Sequence, residues 1–167
     1  EAKNINDEIG TSYIIEGGEE KSFEEAGCPN GTTFVIRDLF YNIPARAKFL
    51  KKDISEGNAV SNIIDKTALS HPEIAFTYIR DGKQVLKTYG DGKLMSAIYS
   101  VFGRDFANGL IPVDYQLDSI KITGYISKPV YSRPNRNMQN FFINGRYVKT
   151  RTAMAAIEEA FKGSIMV

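Results

Sequence analysis

Two eight-residue runs, Leu110–Leu117 and Ile120–Ser127, are separated by Asp118 and Ser119 alone. Both are rich in β-branched and aromatic residues, so each is predicted to be a strand. A link of two residues can join them only as an antiparallel hairpin, because a parallel pair needs a crossover of a dozen residues or more. The chain is therefore not all-helical. Strong helical patterns elsewhere place it in the α+β class.

Further strands are predicted at Thr11–Ile15, Thr33–Arg37, Ile74–Arg80 and Gln84–Thr88, the last two closed by Asp81-Gly82-Lys83. Asn42 is placed to cap a short helix that has Pro44 in its first turn and runs to about Lys51. Ser55 and Glu56 open a second helix, with Val60, Ile63, Ile64 and Ala68 as its apolar stripe and Pro72 as its stop. On this reading the first half is one sheet with helices on one face. Tyr89-Gly90-Asp91-Gly92 is the natural boundary, dividing the chain into residues 1–89 and 90–167. Asp91 then caps a helix whose stripe is Leu94, Ala97, Ile98, Val101 and Phe102, ended by Gly103. Beyond the hairpin come a polar loop at 128–137, a strand at Met138–Ile143, a turn at Asn144-Gly145 and a last helix from about Thr152 to Lys162.

With 43% apolar and 11% aromatic residues over 167 positions, there is enough material for a packed core. No apolar run approaches the ~20 residues of a membrane helix, and residues 1–10 do not resemble a signal peptide, so a cytoplasmic location without membrane contact is expected. Cys28 is alone and His71 is the single histidine, which excludes an intrachain disulfide and a cysteine–histidine zinc site. His71 sits at a helix end with no partner for catalysis, and no nucleophile motif, phosphate-binding loop or metal cluster occurs. The expected catalytic and metal sets are accordingly empty.

Charge is unevenly spread. Residues 1–30 carry eight carboxylates against Lys3 and Lys21, whereas residues 119–157 hold no carboxylate and seven cations: Lys121, Lys128, Arg133, Arg136, Arg146, Lys149 and Arg151. Such a tract suits an anionic partner. Arg133 and Arg136 lie in the polar loop, and Arg146 directly follows the Asn-Gly turn, so all three should project where phosphates can reach them. Arg133, Arg136, Arg146, Lys149 and Arg151 are the candidate contacts to such an anionic partner.

Two motifs carry a family resemblance. Residues 31–50, GTTFVIRDLFYNIPARAKFL, are similar to the MutL signature in which a Gly-Thr strand runs into LFYN-x-PAR-x-KFL. Residues 139–148, QNFFINGRYV, resemble that family's Q-x-x-F-x-NGR-x-V segment. Ile43 and Ala47 stand where threonine and arginine are usual. The resemblance implies the later part of a GHKL-type ATPase sandwich over 1–89, followed by a domain like domain 2 of ribosomal protein S5 over 90–167. It implies a DNA mismatch repair protein that uses ATP and Mg2+, binds double- and single-stranded DNA without sequence preference, works with the mismatch-recognition protein MutS and forms a homodimer. Gly31, Thr32 and Thr33 would lie at the adenine edge of the nucleotide site. The catalytic Glu, the magnesium-binding Asn, the glycine-rich lid and the phosphate-sensing Lys of that family have no counterpart in these 167 residues, so the chain itself is expected not to hydrolyse ATP. Phe40 and Tyr41 are expected to be core aromatics. Phe34, Ile36, Phe76 and Tyr78 are expected to be left uncovered. The rival readings are a DNA-binding or scaffold module without nucleotide function, and another GHKL ATPase such as a type II topoisomerase.

Overall fold

A computed structural model of the protein describes residues 1–133 and 135–163. Its elements run β1 (Ala2–Lys3), β2 (Gly10–Glu16), β3 (Glu19–Ala26), β4 (Gly31–Thr32), α1 (Pro44–Ala47), α2 (Asp53–Ser70), β5 (Thr77–Arg80), β6 (Lys83–Lys87), α3 (Leu94–Phe102), α4 (Arg104–Asn108), β7 (Leu110–Leu117), β8 (Ile120–Ser127), β9 (Phe141–Ile143), β10 (Arg146–Val148) and α5 (Arg151–Phe161). The mixture is α+β, as the sequence predicts. Internal packing divides the chain into two units, Glu1–Lys52 and Asp53–Val167.

The first unit is built on a four-stranded antiparallel sheet in the order β3-β2-β1-β4. The strand expected at Thr33–Arg37 shrinks to Gly31–Thr32. The register explains this: Ala2 pairs with Thr32, and Glu1 exchanges bonds with Thr33, accepting from its N–H at 2.8 Å and donating its terminal amine to its carbonyl at 3.0 Å. Beyond this pairing Phe34, Val35 and Ile36 are largely exposed. The helix expected from Asn42 to Lys51 is a single turn, and its N-cap is Ile43 without a side-chain bond. Both Tyr41 and Asn42 lie near the β2–β3 turn: a β-carbon on Gly17 would lie 2.7 Å from the Tyr41 hydroxyl and 3.5 Å from the Asn42 amide nitrogen. Tyr41 thus lies over the β2–β3 turn and is exposed, and only Phe40 of the expected aromatic pair is half-buried.

In the second unit the core gathers Leu69 of α2, Ala97 and Ile98 of α3, and Ala107 of α4, flanked by Phe102, Phe106, Tyr125 and Phe142. Every apolar position expected on α3 faces this core or lines it. Helix α2 begins at Asp53, two residues early, with Asp53 and Glu56 in the first turn where the helix dipole favours carboxylates. Of the expected stripe Ala68 is buried and Ile64 half-buried, whereas Val60 and Ile63 are exposed and Leu69, outside the stripe, is buried. Ser61 takes the inward place, donating to Gly57 O at 2.9 Å and lying 3.4 Å from the Tyr78 hydroxyl. Phe76 and Tyr78 are accordingly half-buried, and the uncovered side of the β5–β6 hairpin carries Ile79 and Val85 instead. The first 89 residues therefore do not form one sheet, since β5 and β6 pair only with each other among the described residues.

The two long strands form as predicted, paired from Leu110↔Ser127 to Leu117↔Ile120, with Asp118 at φ 50° in the turn. The N-cap position of α3 is Lys93 and not the expected Asp91, which lies three residues before the helix and accepts from Lys93 N–H at 3.0 Å and from the Ser96 hydroxyl at 2.7 Å. The loop at 128–137 holds a 3-10 turn at Pro129–Tyr131, and its residue 134 lies outside the described residues.

Candidate nucleic-acid interface

The β9–β10 hairpin is only three residues to a strand, closed by Asn144 at φ 49° and Gly145 at φ 76°. Both central residues at positive φ is the turn whose twist suits a hairpin, and Asn-Gly is the pair that adopts it at least cost. The turn fixes the backbone of Arg146, whose side chain is exposed. Behind it Tyr147 packs edge-on to Phe142 at 5.9 Å between ring centroids. The Lys66 ammonium of α2 sits over the Tyr147 ring, 4.2 Å from its centre.

Past the hairpin, Lys149 and Arg151 are exposed on either side of Thr150, whose side chain accepts from Ala153 N–H at 3.4 Å and caps α5. The first turn of α5 carries no carboxylate. Cations at a helix N-terminus oppose its dipole, so Lys149 and Arg151 stand where helix stability alone would put Asp or Glu. Together with the positive end of the α5 dipole they make this part of the surface electropositive.

The two loop arginines diverge. Arg133 is exposed, near Asp105 and Tyr131 in a small cavity of about 130 Å3. Arg136 is held by Glu158 of α5, its Nε donating to one carboxylate oxygen at 2.6 Å and its Nη2 to the other at 2.8 Å. Gln139 adds a longer bond to the same carboxylate at 3.4 Å. The guanidinium bonds hold the Glu158 carboxyl below its usual range, and Glu158 in turn raises Arg136. Sequence reasoning missed this partner, although Glu158 is the first carboxylate after the acid-free tract. Lys121 is also near a carboxylate, 3.8 Å from Asp114 across the hairpin. Arg146, Lys149 and Arg151 have no carboxylate within 4 Å among the described residues.

The candidate nucleotide residues are exposed, Gly31 and Thr32 on the edge strand β4 and Thr33 directly after it. They offer hydroxyls and backbone but no charge, which fits an adenine edge and not a triphosphate or Mg2+. Among the described residues there is no group of three His, Cys, Asp or Glu placed to hold a metal ion. His71 Nδ1 lies 2.9 Å from Glu73 Oε1, and the Glu73 carboxyl is lowered first by a backbone hydrogen bond and then by His71. No helix of the described residues is long and apolar enough to cross a membrane.

Comparison with known proteins bears on the whole chain. It is 48% identical over 164 residues to the DNA mismatch repair protein MutL of Agathobacter rectalis, covering 98% of this chain and 25% of that protein. The MutL of Clostridium botulinum is 42% identical over 159 residues, covering 95% and 24%. The chain belongs to the MutL family of DNA mismatch repair proteins. A family model described as "DNA mismatch repair protein, C-terminal domain" matches residues 98–167. The MutL ATPase domain of Aquifex aeolicus, solved in complex with ADP, superposes with a TM-score of 0.79 at 26% identity, covering 95% of this chain and 60% of that one. The fold is thus that of MutL ATPase domains. The chain spans about a quarter of the length of the curated MutL proteins it matches. Of the two MutL motifs, residues 31–50 supply the exposed β4 edge and the α1 turn, and residues 139–148 supply the β9–β10 hairpin with Arg146 at its tip.

Proposed function

We propose that this chain is the part of a MutL-type mismatch repair ATPase that couples nucleotide state to contact with DNA. The observation that carries the reading is Arg146, exposed on a backbone-fixed turn beside Lys149 and Arg151, with no neighbouring carboxylate among the described residues to neutralise it. The arrangement suits phosphate neutralisation, which needs exposed cations on a rigid frame and is indifferent to base sequence. Arg133, exposed in the polar loop, and Arg136, when released from Glu158, are the further cations of this reading.

Family membership supports the remainder: ATP and Mg2+ bound by the intact protein with Gly31, Thr32 and Thr33 at the adenine edge, double- and single-stranded DNA and MutS as partners, a homodimer, and a cytoplasmic setting. Two family domains meeting near Gly90 belong to the same reading, supported by the family-model match that begins at residue 98. The second is the S5-like domain.

Arg146→Glu tests the DNA contact. Each phosphate contact contributes about 0.9 to the slope of log affinity against log salt, so the variant should lose about one in slope and weaken all duplex sequences alike. Asn144 and Gly145 set the turn without Arg146, so its fold should be retained. A folded variant with native affinity and slope removes Arg146 from the interface.

A further inference from the structure

A groove of about 340 Å3 opens between the last turns of α2 and the β9–β10 hairpin. Lys66, Ser70 and His71 line one wall, and Gly145, Arg146 and Tyr147 the other. The size is at the lower limit of small-ligand sites, which run from about 300 Å3. Its lining contains two permanent cations and no carboxylate. The Ser70 hydroxyl donates to Thr67 O at 3.0 Å, and Glu73 engages the His71 Nδ1, so both already have partners within the chain. Lys66 is different. Its ammonium is drawn across the groove onto the Tyr147 ring, next in sequence to Arg146, when a lysine on a helix would ordinarily extend into water.

We propose that this groove seats one backbone phosphate of a nucleic-acid strand, gripped between Lys66 of α2 and Arg146 of the hairpin. The inference rests on the reading of Arg146 as a DNA contact and adds a second wall to it. Lys66 acts as a compact point charge and Arg146 as a planar fork, so the two can address different oxygens of one phosphate. Both stand on regular elements, which holds the site in place before anything binds. The nearest other charges do not defeat it: Asp65 precedes Lys66 on α2 and is partly buried, and Glu73 is turned to His71.

The test is the binding of labelled duplex DNA to the chain across a range of chloride concentrations, for the native protein, Lys66→Gln, Lys66→Arg and Arg146→Glu. Lys66→Gln should lose about 0.9 in salt slope, which amounts to about eightfold weaker binding at 0.1 M salt relative to 1 M, and Lys66→Arg should recover most of it. Should Lys66→Gln fail to fold, Lys66→Met keeps the aliphatic stem and carries the same expectation. Native affinity in a folded Lys66→Gln beside a weakened Arg146→Glu overturns this inference and leaves the Arg146 reading standing. No DNA binding by the native chain, or no effect of Arg146→Glu, overturns both. At matched ionic strength inorganic phosphate should displace DNA no better than chloride does. Preferential displacement by phosphate that Lys66→Gln abolishes would make this a free-phosphate site and overturn the nucleic-acid assignment.

Discussion

Arg136 and Glu158 meet fork to fork, two N–H donors on two carboxylate oxygens at 2.6 and 2.8 Å, across 22 residues of chain. The pair ties the polar loop to α5 and takes one of the five candidate arginine and lysine contacts out of the free positive field. With side chains 58% and 43% exposed it is screened by salt, so its effect is on where the loop sits more than on stability.

Glu158→Gln should therefore tighten DNA binding, because it frees Arg136 and removes a like charge to phosphate. The salt slope should rise by up to about 0.9, one further contact. Binding isotherms at several salt concentrations measure this, and an unchanged slope would mean that Arg136 does not reach the strand.

Arg151→Glu should move stability and binding in opposite directions. Replacing a cation by an anion at the start of α5 relieves the conflict with the helix dipole, so the fold should gain about 0.3–1 kcal/mol while DNA affinity falls. Urea unfolding and DNA titration on the same preparation check both signs. Loss of stability together with affinity would show a structural role for Arg151.

Asp91 gives a pH dependence with a defined sign. Its carboxyl is held below the ordinary aspartate range, first by the Ser96 hydroxyl and then by the Lys93 N–H. A carboxyl lowered in the folded state adds stability at pH values above its unfolded pKa and loses it as pH falls through the folded one. The melting temperature of Asp91→Asn should accordingly lie below that of the native chain at pH 7, with the gap closing under acid conditions below pH ~4. A gap that is constant from pH 7 to pH 3 would mean that Asp91 acts through shape alone.

Gly90→Ala should destabilise by about 2–4 kcal/mol, combining the cost of a left-handed residue with a steric clash. Gly90 has φ 66°, and an added β-carbon would stand 2.7 Å from the Ala75 backbone nitrogen and 3.1 Å from Glu73 O, neither of which is a flexible side-chain end. The midpoint of urea unfolding reads this directly. Gly82→Ala, with nothing near its β-carbon position, should cost only the conformational part.

Elements whose pattern is complete within a short window were legible from the residues. The β7–β8 hairpin and the α3 stripe are of this kind, since alternation, a two-residue link and a terminal Gly103 are all local. What failed depended on distant partners. Thr33–Arg37 has strand composition, but a strand needs a neighbour, and the ladder with β1 ends at Ala2↔Thr32. In α2 the inward Ser61 broke the apolar stripe, because its hydroxyl is satisfied by Gly57 O and a serine can then replace an apolar residue. Asn42 had the chemistry of a cap, yet the helix begins one residue later, with Ile43 at the N-cap position. At the candidate interface the exposed cations were readable from the acid-free tract, whereas the Arg136–Glu158 pair and the approach of Lys66 to Tyr147 exist only once α5 and α2 are in place.

The β7–β8 ladder and the β1–β4 contact differ in the order in which they can form. Leu117 and Ile120 meet across two residues, so the hairpin can zip from its turn on the microsecond scale without help from other segments. Glu1 and Thr33 are 32 residues apart, and their pairing must wait until β2 and β3 have brought the intervening chain around. Loop-closure entropy thus favours formation of the β7–β8 ladder before the β1–β4 contact.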